Sequence, residues 1–371
     1  MDKRPELEAL TDDILDNLAW PYPEEILAGL DEVVVFGTGG AADCVADILN
    51  RYRVHIVCYV DNDVKKHGSL FRQRPVISPD ELIHHDQTIL IASSWARDIA
   101  LQLNELDKSF LDFSFCVDFE RWKNHFNHKI FNVKKSVEIG KKYLNGVDLQ
   151  RYMGCIRYRQ TYNPLHLVGL SHSHYMNPNV LPESTDIYID GGAWHGDTLI
   201  ELKDLLGEGI EIHSFEPDEA NYKILSTLIA DKGFSNCHAV KKALWNQITT
   251  LNFMQSHEAV HTMQSRVSSL SSANQPFTEI EATTIDDYTA LISGTPSYIK
   301  MDIEGAEPEA LRGAQTLLKT NPPKLAISAY HEPNHLWELI EEIHSLNDNY
   351  KFWFSHHSQH LFESVIYARA G

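Results

Sequence analysis

The sequence predicts an α/β fold class with two Rossmann-like domains, the second closed by a terminal antiparallel hairpin. Three observations lead there. Apolar, β-rich runs alternate with amphipathic stretches over residues 25–120, and the alternation resumes from Thr185. Two of these runs break into glycine, VVVFGTGG at 33–40 and IYIDGGAWHGD at 187–197. The last two strand-like runs, near 350–356 and 362–368, have no helix between them, and so short a connection makes them antiparallel.

The elements follow in order. Residues 1–30 read as short amphipathic helices interrupted by Pro21 and Pro23. DEVVVFGTGGAADCVADILNRY reads strand, glycine turn, helix. RVHIVCYVDND is a second strand ending in Asp61, QTILIASSW a third and FLDFSFCVDF a fourth. Together they make a small N-terminal α/β domain, residues 1–120. Residues 121–180 are rich in His, Tyr, Asn and Arg with weak periodicity, and read as a connector or substrate-facing lobe. No repeat of solenoid period is evident. The second domain, 181–371, carries strands near 186–190, 211–216, 238–243, 249–254, 296–302 and 324–330 before the hairpin. Its helices fall near 196–206, 218–231, 306–319 and 334–346.

Composition narrows the function classes. A chain of 371 residues exceeds one typical domain. A net charge of −20 and a pI of about 5.4 argue against unspecific binding to nucleic acid or anionic membranes. Cys44, Cys58, Cys116, Cys155 and Cys237 form no C-x-x-C pair and read as buried free thiols, which suits a reducing compartment. The polar start MDKRPELEAL lacks an apolar signal core, and no apolar run approaches the roughly 18 residues that span a bilayer. A soluble, cytoplasmic protein without membrane insertion is expected.

In an open α/β sheet, ligands sit beyond the carboxyl ends of the strands. The first strand of the second domain presents Asp190, Gly191 and Gly192 there, and Asp197 opens the following helix. Glycine lets the backbone approach a ligand, and the helix start supplies free N–H groups. The next strand presents Glu216 and Pro217, and a carboxylate there suits the two hydroxyls of a cofactor ribose. Later strand ends present Asp302 and Glu304, Tyr330 and His331, and His356 and His357. The carboxylates Asp302, Glu304 and Glu307 also have a bland reading, since Pro308 marks a first helical turn that acids stabilise.

IYIDGGAWHGDT, HSFEPDEANYKIL, YIKMDIEGAEPEALRGA and LAISAYHEPNHLWEL together resemble the FkbM-type methyltransferases that use S-adenosylmethionine. The resemblance covers roughly 180–371, with KMDIEGAE its most specific part. Seven or eight strands, parallel save for the terminal hairpin, also describe the class I methyltransferase fold. The resemblance implies O-methylation of a sugar, glycan or related natural product. It implies that Asp190 to Gly192 line the methionine end of the cofactor and that Glu216 holds the ribose. It assigns no role to His195.

A hydroxyl is a poor nucleophile, and a general base helps by about 10²–10⁴-fold. His331 is the first candidate base, His356 and His357 the next, with Asp302 orienting the acceptor. Asp302, Glu304 and a histidine could also hold a divalent ion, and His172 with His174 forms an H-x-H pair that could join such a site. Solvated loop histidines are the simpler reading of that pair, and no metal is assigned. Arg266, in the loop 255–280, could meet an acceptor phosphate or is a solvated surface residue. GTGG with Asp61 imitates a nucleotide half-site but lacks the third glycine, which Ala42 replaces. This N-terminal domain is either a binding module or a structural one, and a homodimer through it stays open. Two rivals remain: an NAD-linked sugar-modifying oxidoreductase using that half-site, and a non-enzymatic glycan-binding scaffold.

Overall fold

The computed structural model describes residues 4–168, 173–254, 266–267 and 277–371. The chain divides into two compact units, Met1–Leu170 with His356–Ser364, and Ser171–Ser355 with Val365–Gly371. Among the described residues no helix is long and apolar enough to cross a membrane.

The first unit is built on β1 (Glu32–Phe36), β2 (His55–Val60), β3 (Leu70–Phe71), β4 (Arg74–Ile77), β5 (Thr88–Ile91) and β6 (Phe110–Asp112). They form one sheet in the order β3-β4-β2-β1-β5-β6, parallel except for the β3–β4 pair. Alternate residues of β1, β2 and β5 (Val34, Phe36, Cys58, Val60, Ile89 and Ile91) share a core with Ile99 and Leu103 of the helix Ala96–Glu105. The sheet has two strands beyond the expected four: β3 and β4 are too short to leave a period.

The stretch expected as a separate connector, 121–180, is divided between the units. Its first part folds into the helices Val133–Tyr143 and Gly146–Thr161 of the first unit. Their buried faces carry Ser136, Tyr152, Tyr158, Arg159 and Gln160, residue types that hide helical periodicity from a hydrophobicity count. Aromatic rings do the packing that aliphatic side chains do elsewhere. Phe126 stacks on Tyr162 at 4.6 Å and lies 4.3 Å from Phe115. Tyr158 donates to the fully buried Asp112 at 2.6 Å, and burial pushes that carboxyl up to about 6.

The second unit holds β7 (Ile187–Gly191), β8 (Glu211–Phe215), β9 (Cys237–Val240), β10 (Ala243–Leu244), β11 (Thr249–Met254), β12 (Arg266–Val267), β13 (Phe277–Thr283), β14 (Tyr298–Met301), β15 (Lys324–Ser328), β16 (Tyr350–His356) and β17 (Ser364–Ala370). Seven of them form a sheet in the order β16-β17-β15-β14-β7-β8-β9. β14, β15, β7, β8 and β9 run parallel, and β17 is antiparallel to β15. This is the class I methyltransferase arrangement with its terminal hairpin. Tyr188 and Tyr298, facing each other across β7 and β14, stack at 4.7 Å within the core.

A second, smaller sheet runs β10-β13-β11-β12. It replaces part of the loop expected at 255–280, of which 255–265 and 268–276 lie outside the described residues. The single helix expected near 306–319 is two, Glu307–Arg312 and Gln315–Thr320. A Cβ on Gly313 would stand 2.0 Å from the Trp245 carbonyl oxygen, so the chain breaks where β10's continuation crosses it. The Asp286 carboxylate then accepts from Thr316 and Leu317 N–H and caps the second helix. Cys58, Cys116, Cys155 and Cys237 are buried free thiols, and Cys44 is half-buried.

Replacing Tyr158 with Phe removes a donor from a buried carboxylate. Unfolding by urea is expected to show a loss of about 1–3 kcal/mol. An unchanged midpoint would mean that the bond contributes nothing to the fold.

Candidate active site

The chain runs β7 to β8 to β9 outward on one side, then returns to place β14 on the other side of β7. The strand order therefore reverses between β7 and β14, the point at which open α/β sheets bind their ligands beyond the carboxyl ends. Asp190 ends β7 fully buried, Glu216 follows β8 buried, and Asp302 follows β14 with its side chain 19% exposed. Asp190, Gly191, Gly192, Glu216 and Asp302 are thus carried on the ends of three neighbouring strands. Pro217 follows, half-buried, and Asp197 is the exposed first residue of the helix Asp197–Leu206, where its charge favours the dipole.

Lys300, which sequence reasoning missed, organises the first part of this rim. It is buried in β14 and donates to Asp190 Oδ1 at 3.0 Å and to the Gly192 carbonyl at 2.8 Å. Burial opposes its charge, but Asp190 and Asp302 outweigh burial and hold its pKa above the usual lysine value. The signal was present: a lysine inside the buried run YIKM demands a counter-charge. Burial raises Asp190, against the pull of Lys300, and among the described residues Asp190 Oδ2 has no hydrogen-bond partner. Gly192 takes φ +74°, and a Cβ there would lie 1.9 Å from the Asp302 carbonyl oxygen. Only glycine lets the two strand-end loops meet.

Among the described residues Glu216 is held by backbone donors. Its Oε2 accepts from Trp194 N–H and its Oε1 from Asp218 N–H, each at 2.9 Å. Each oxygen keeps a lone pair. Burial pushes the carboxyl up to about 7 in spite of these bonds. Trp194 sits at φ 46°, a conformation that costs a non-glycine residue about 1–3 kcal/mol and turns its N–H toward Glu216.

A second network begins at Glu307, which the sequence left as a helix-start acid. It is fully buried, and its Oε1 accepts from Ile303 N–H at 2.9 Å and from His331 Nδ1 at 2.8 Å. His331 Nε2 faces Asp302 Oδ1 at 3.3 Å. Burial would lower His331, but Glu307, Glu304 and Asp302 outweigh burial and hold it at about 9. The same pairing keeps Asp302 and Glu307 below the usual carboxylate range against their burial. At neutral pH His331 is an imidazolium between carboxylates, without the lone pair a base needs. Asp302 also accepts from Tyr175 Oη at 2.9 Å and from Tyr330 Oη at 3.1 Å. Tyr175 comes from an irregular stretch that leaves no sequence signal. Ligand atoms of Asp302, Glu307 and His331 lie within 4.8 Å of one another, and the imidazolium already supplies the positive charge among them.

His356 and His357 belong to the segment 356–364, which clusters with the first unit. His356 is buried with Nδ1 3.0 Å from Ser364 Oγ. His172 and the Arg266 side chain lie outside the described residues. In the first unit Asp61 is already engaged. Its Oδ2 accepts from Lys66 at 2.8 Å and from the Thr38 hydroxyl, and its Oδ1 accepts from Asp63 N–H. A ribose diol would have to displace these donors.

Two outcomes check this geometry. Lys300→Met strands a buried carboxylate, and chemical denaturation is expected to show about 3–5 kcal/mol of lost stability; a loss below about 1 kcal/mol would mean that the pair is not formed. Folding raises His331 from an ordinary 6.5 to about 9. Its contribution is therefore complete below about pH 6.5 and is lost as pH rises through about 9. The melting temperature is expected to fall across that window in the parent chain and to fall less in His331→Gln. Equal slopes would place the charge elsewhere.

The model of the methyltransferase FkbM domain matches residues 190–354, and that of the C2185-like N-terminal domain matches residues 29–109. No curated protein matches the chain. Among solved structures, a methyltransferase FkbM from Methylobacillus flagellatus KT aligns over 98% of each chain with a TM-score of 0.71 and 20% identity. A fibrillarin from Aeropyrum pernix with natively bound S-adenosyl-L-methionine aligns over 50% of this chain and 67% of its own, with a TM-score of 0.33 and 14% identity. A putative rRNA-methylase from Clostridium thermocellum aligns over 54% and 96%, with a TM-score of 0.34 and 11% identity. The C-terminal part of the chain, residues 190–354, thus matches the methyltransferase FkbM domain, and its strand order is that of the class I methyltransferase fold.

Proposed function

We propose that this chain is an S-adenosylmethionine-dependent O-methyltransferase acting on a hydroxyl of a sugar, glycan or related natural product. The observation that carries the reading is the rim at the strand-order reversal, where Asp190, Gly192, Glu216 and Asp302 stand on the ends of β7, β8 and β14. The residues fit the cofactor. Asp190 Oδ2 is a buried acceptor lacking a partner among the described residues, as an ammonium group would require. Glu216 keeps one lone pair on each oxygen for the two ribose hydroxyls, and its backbone donors fix its direction. Summed over Asp190, Asp302, Glu304 and Glu307 against Lys300 and His331, the surroundings are anionic, which favours a sulfonium.

When bound, S-adenosylmethionine supplies a methyl group on a sulfonium, open to in-line attack by an oxygen nucleophile. The residues of this chain orient the acceptor and receive its proton. Asp302, rather than His331, is the proton acceptor in this reading. As the O–C bond forms, the attacking hydroxyl turns strongly acidic, so a carboxylate of low pKa can take the proton late. His331 positions that carboxylate by charge, and Tyr175 and Tyr330 hold its two oxygens by hydrogen bonds. Asp197 and Pro217, at the start of the helix after β7 and in the turn after β8, would flank the bound cofactor.

Calorimetric titration with S-adenosylhomocysteine is expected to give micromolar binding at one site. In Glu216→Ala the affinity is expected to fall by about 1.5–3 kcal/mol, the range for hydrogen bonds to a charged group. Tight binding in the parent with no change in the variant would remove Glu216 from the ribose. No binding in the parent would overturn the cofactor assignment.

A further inference from the structure

At the opposite end of β8 from Glu216, about 16 Å along the strand, a second group of side chains gathers. Glu211 and His213 stand two residues apart on one face of β8, and His238 is the register partner of His213 on the edge strand β9. The intervening Ile212 and Cys237 point the other way, into the core. Sheet register therefore dictates the cluster: period two on one strand and a direct neighbour on the next. Glu211 Oε1 lies 2.9 Å from His213 Nε2 and 3.9 Å from His238 Nε2, and one ligand atom from each residue fits within 4.8 Å. The two imidazoles stack at 4.7 Å, both offering Nε2 to the carboxylate.

The surroundings orient these donors. His213 Nδ1 lies 2.9 Å from Tyr288 Oη, on the helix Ile285–Thr289. When the ring proton is on Nδ1 and donated to that hydroxyl, Nε2 presents its lone pair toward Glu211. Metal-ligating histidines are held in this way by a partner on the second nitrogen. The side chain of His213 is 3% exposed and forms the floor, while Glu211 and His238 are 33% and 46% exposed and form an open mouth. Two imidazoles and one carboxylate make a set that suits a borderline-soft divalent ion, with water completing a tetrahedron.

We propose that Glu211, His213 and His238 bind one divalent transition metal ion, zinc or its like, which ties the edge strand β9 to β8. Binding needs only a tautomer exchange at His213, with Tyr288 turning from donor to acceptor, and a small closure of His238 toward Glu211. The site is separate from the rim proposed for methyl transfer and does not depend on it.

The test is calorimetric titration of the chelator-stripped chain with zinc, repeated with cobalt while reading its visible d–d bands. The parent is expected to bind one equivalent more than His238→Ala, to show tetrahedral cobalt bands, and to melt at a higher temperature with zinc present. His238→Ala and Glu211→Gln are each expected to weaken that equivalent by about 10- to 100-fold. Circular dichroism identifies a variant that fails to fold, and the conservative Glu211→Gln, on a partly exposed side chain, keeps the comparison available. A parent that binds no more zinc than either variant, or shows no melting shift, would overturn the proposal.

Discussion

The structure of the catalytic unit turns on one buried carboxylate. Glu307 has no access to solvent, so its charge must be met inside the protein, and three groups meet it: Ile303 N–H, the His331 imidazolium and, at 3.5 Å, His335. Ile303 belongs to the loop after β14 and His331 to the segment after β15. One side chain thus fixes two strand ends against each other. The loop pays for this with Glu304 at φ 59°, beside a glycine at φ 105°. Asp302 inherits its position from the same clamp, through His331.

The rim is two linked charge sets rather than a row of independent residues. Lys300 binds the end of β7 to β14, and His331 binds β14 to the segment after β15. Both cations are buried, and both are outnumbered by carboxylates. The comparison with the first unit is instructive. There too a glycine turn follows the first strand and an acid follows the second, but Lys66 and Thr38 occupy Asp61, whereas among the described residues backbone donors occupy Glu216. At the same place in two similar sheets the acid is engaged by side chains in one and by backbone donors in the other.

Much of this was legible in the sequence, for identifiable reasons. Buried parallel strands give continuous apolar runs, and those ending in Gly191, Glu216 and Asp302 stand out because glycine or acid interrupts them. The strand ends could be named, but their partners could not. Glu307 reads equally well as a helix-start acid, and the role of His331 depends on how many carboxylates surround it, which no spacing reveals. Tyr175 reaches Asp302 from a segment without periodicity. The helices between 133 and 161 escaped because their buried faces carry tyrosines, a serine, a glutamine and Arg159, whose guanidinium is buried against Phe131 and the Cys155 carbonyl. His356 and His357 follow the apolar run of β16 as the other candidates follow theirs, yet the chain leaves the catalytic unit at that point.

That departure constrains how the chain can be divided. The polypeptide changes unit at 170–171, at 355–356 and again at 364–365. The nine residues of the excursion carry Leu361, 1% exposed, and Phe362, whose ring lies 4.7 Å from Trp122. A gene fragment encoding only residues 171–371 would thus carry the loop between its last two strands without the aromatic partner it packs on. A fragment ending at 170 would leave Trp122 without Phe362. Neither unit is one unbroken stretch of sequence: recombination that exchanged the first unit would also have to rewrite a loop near the far end of the gene.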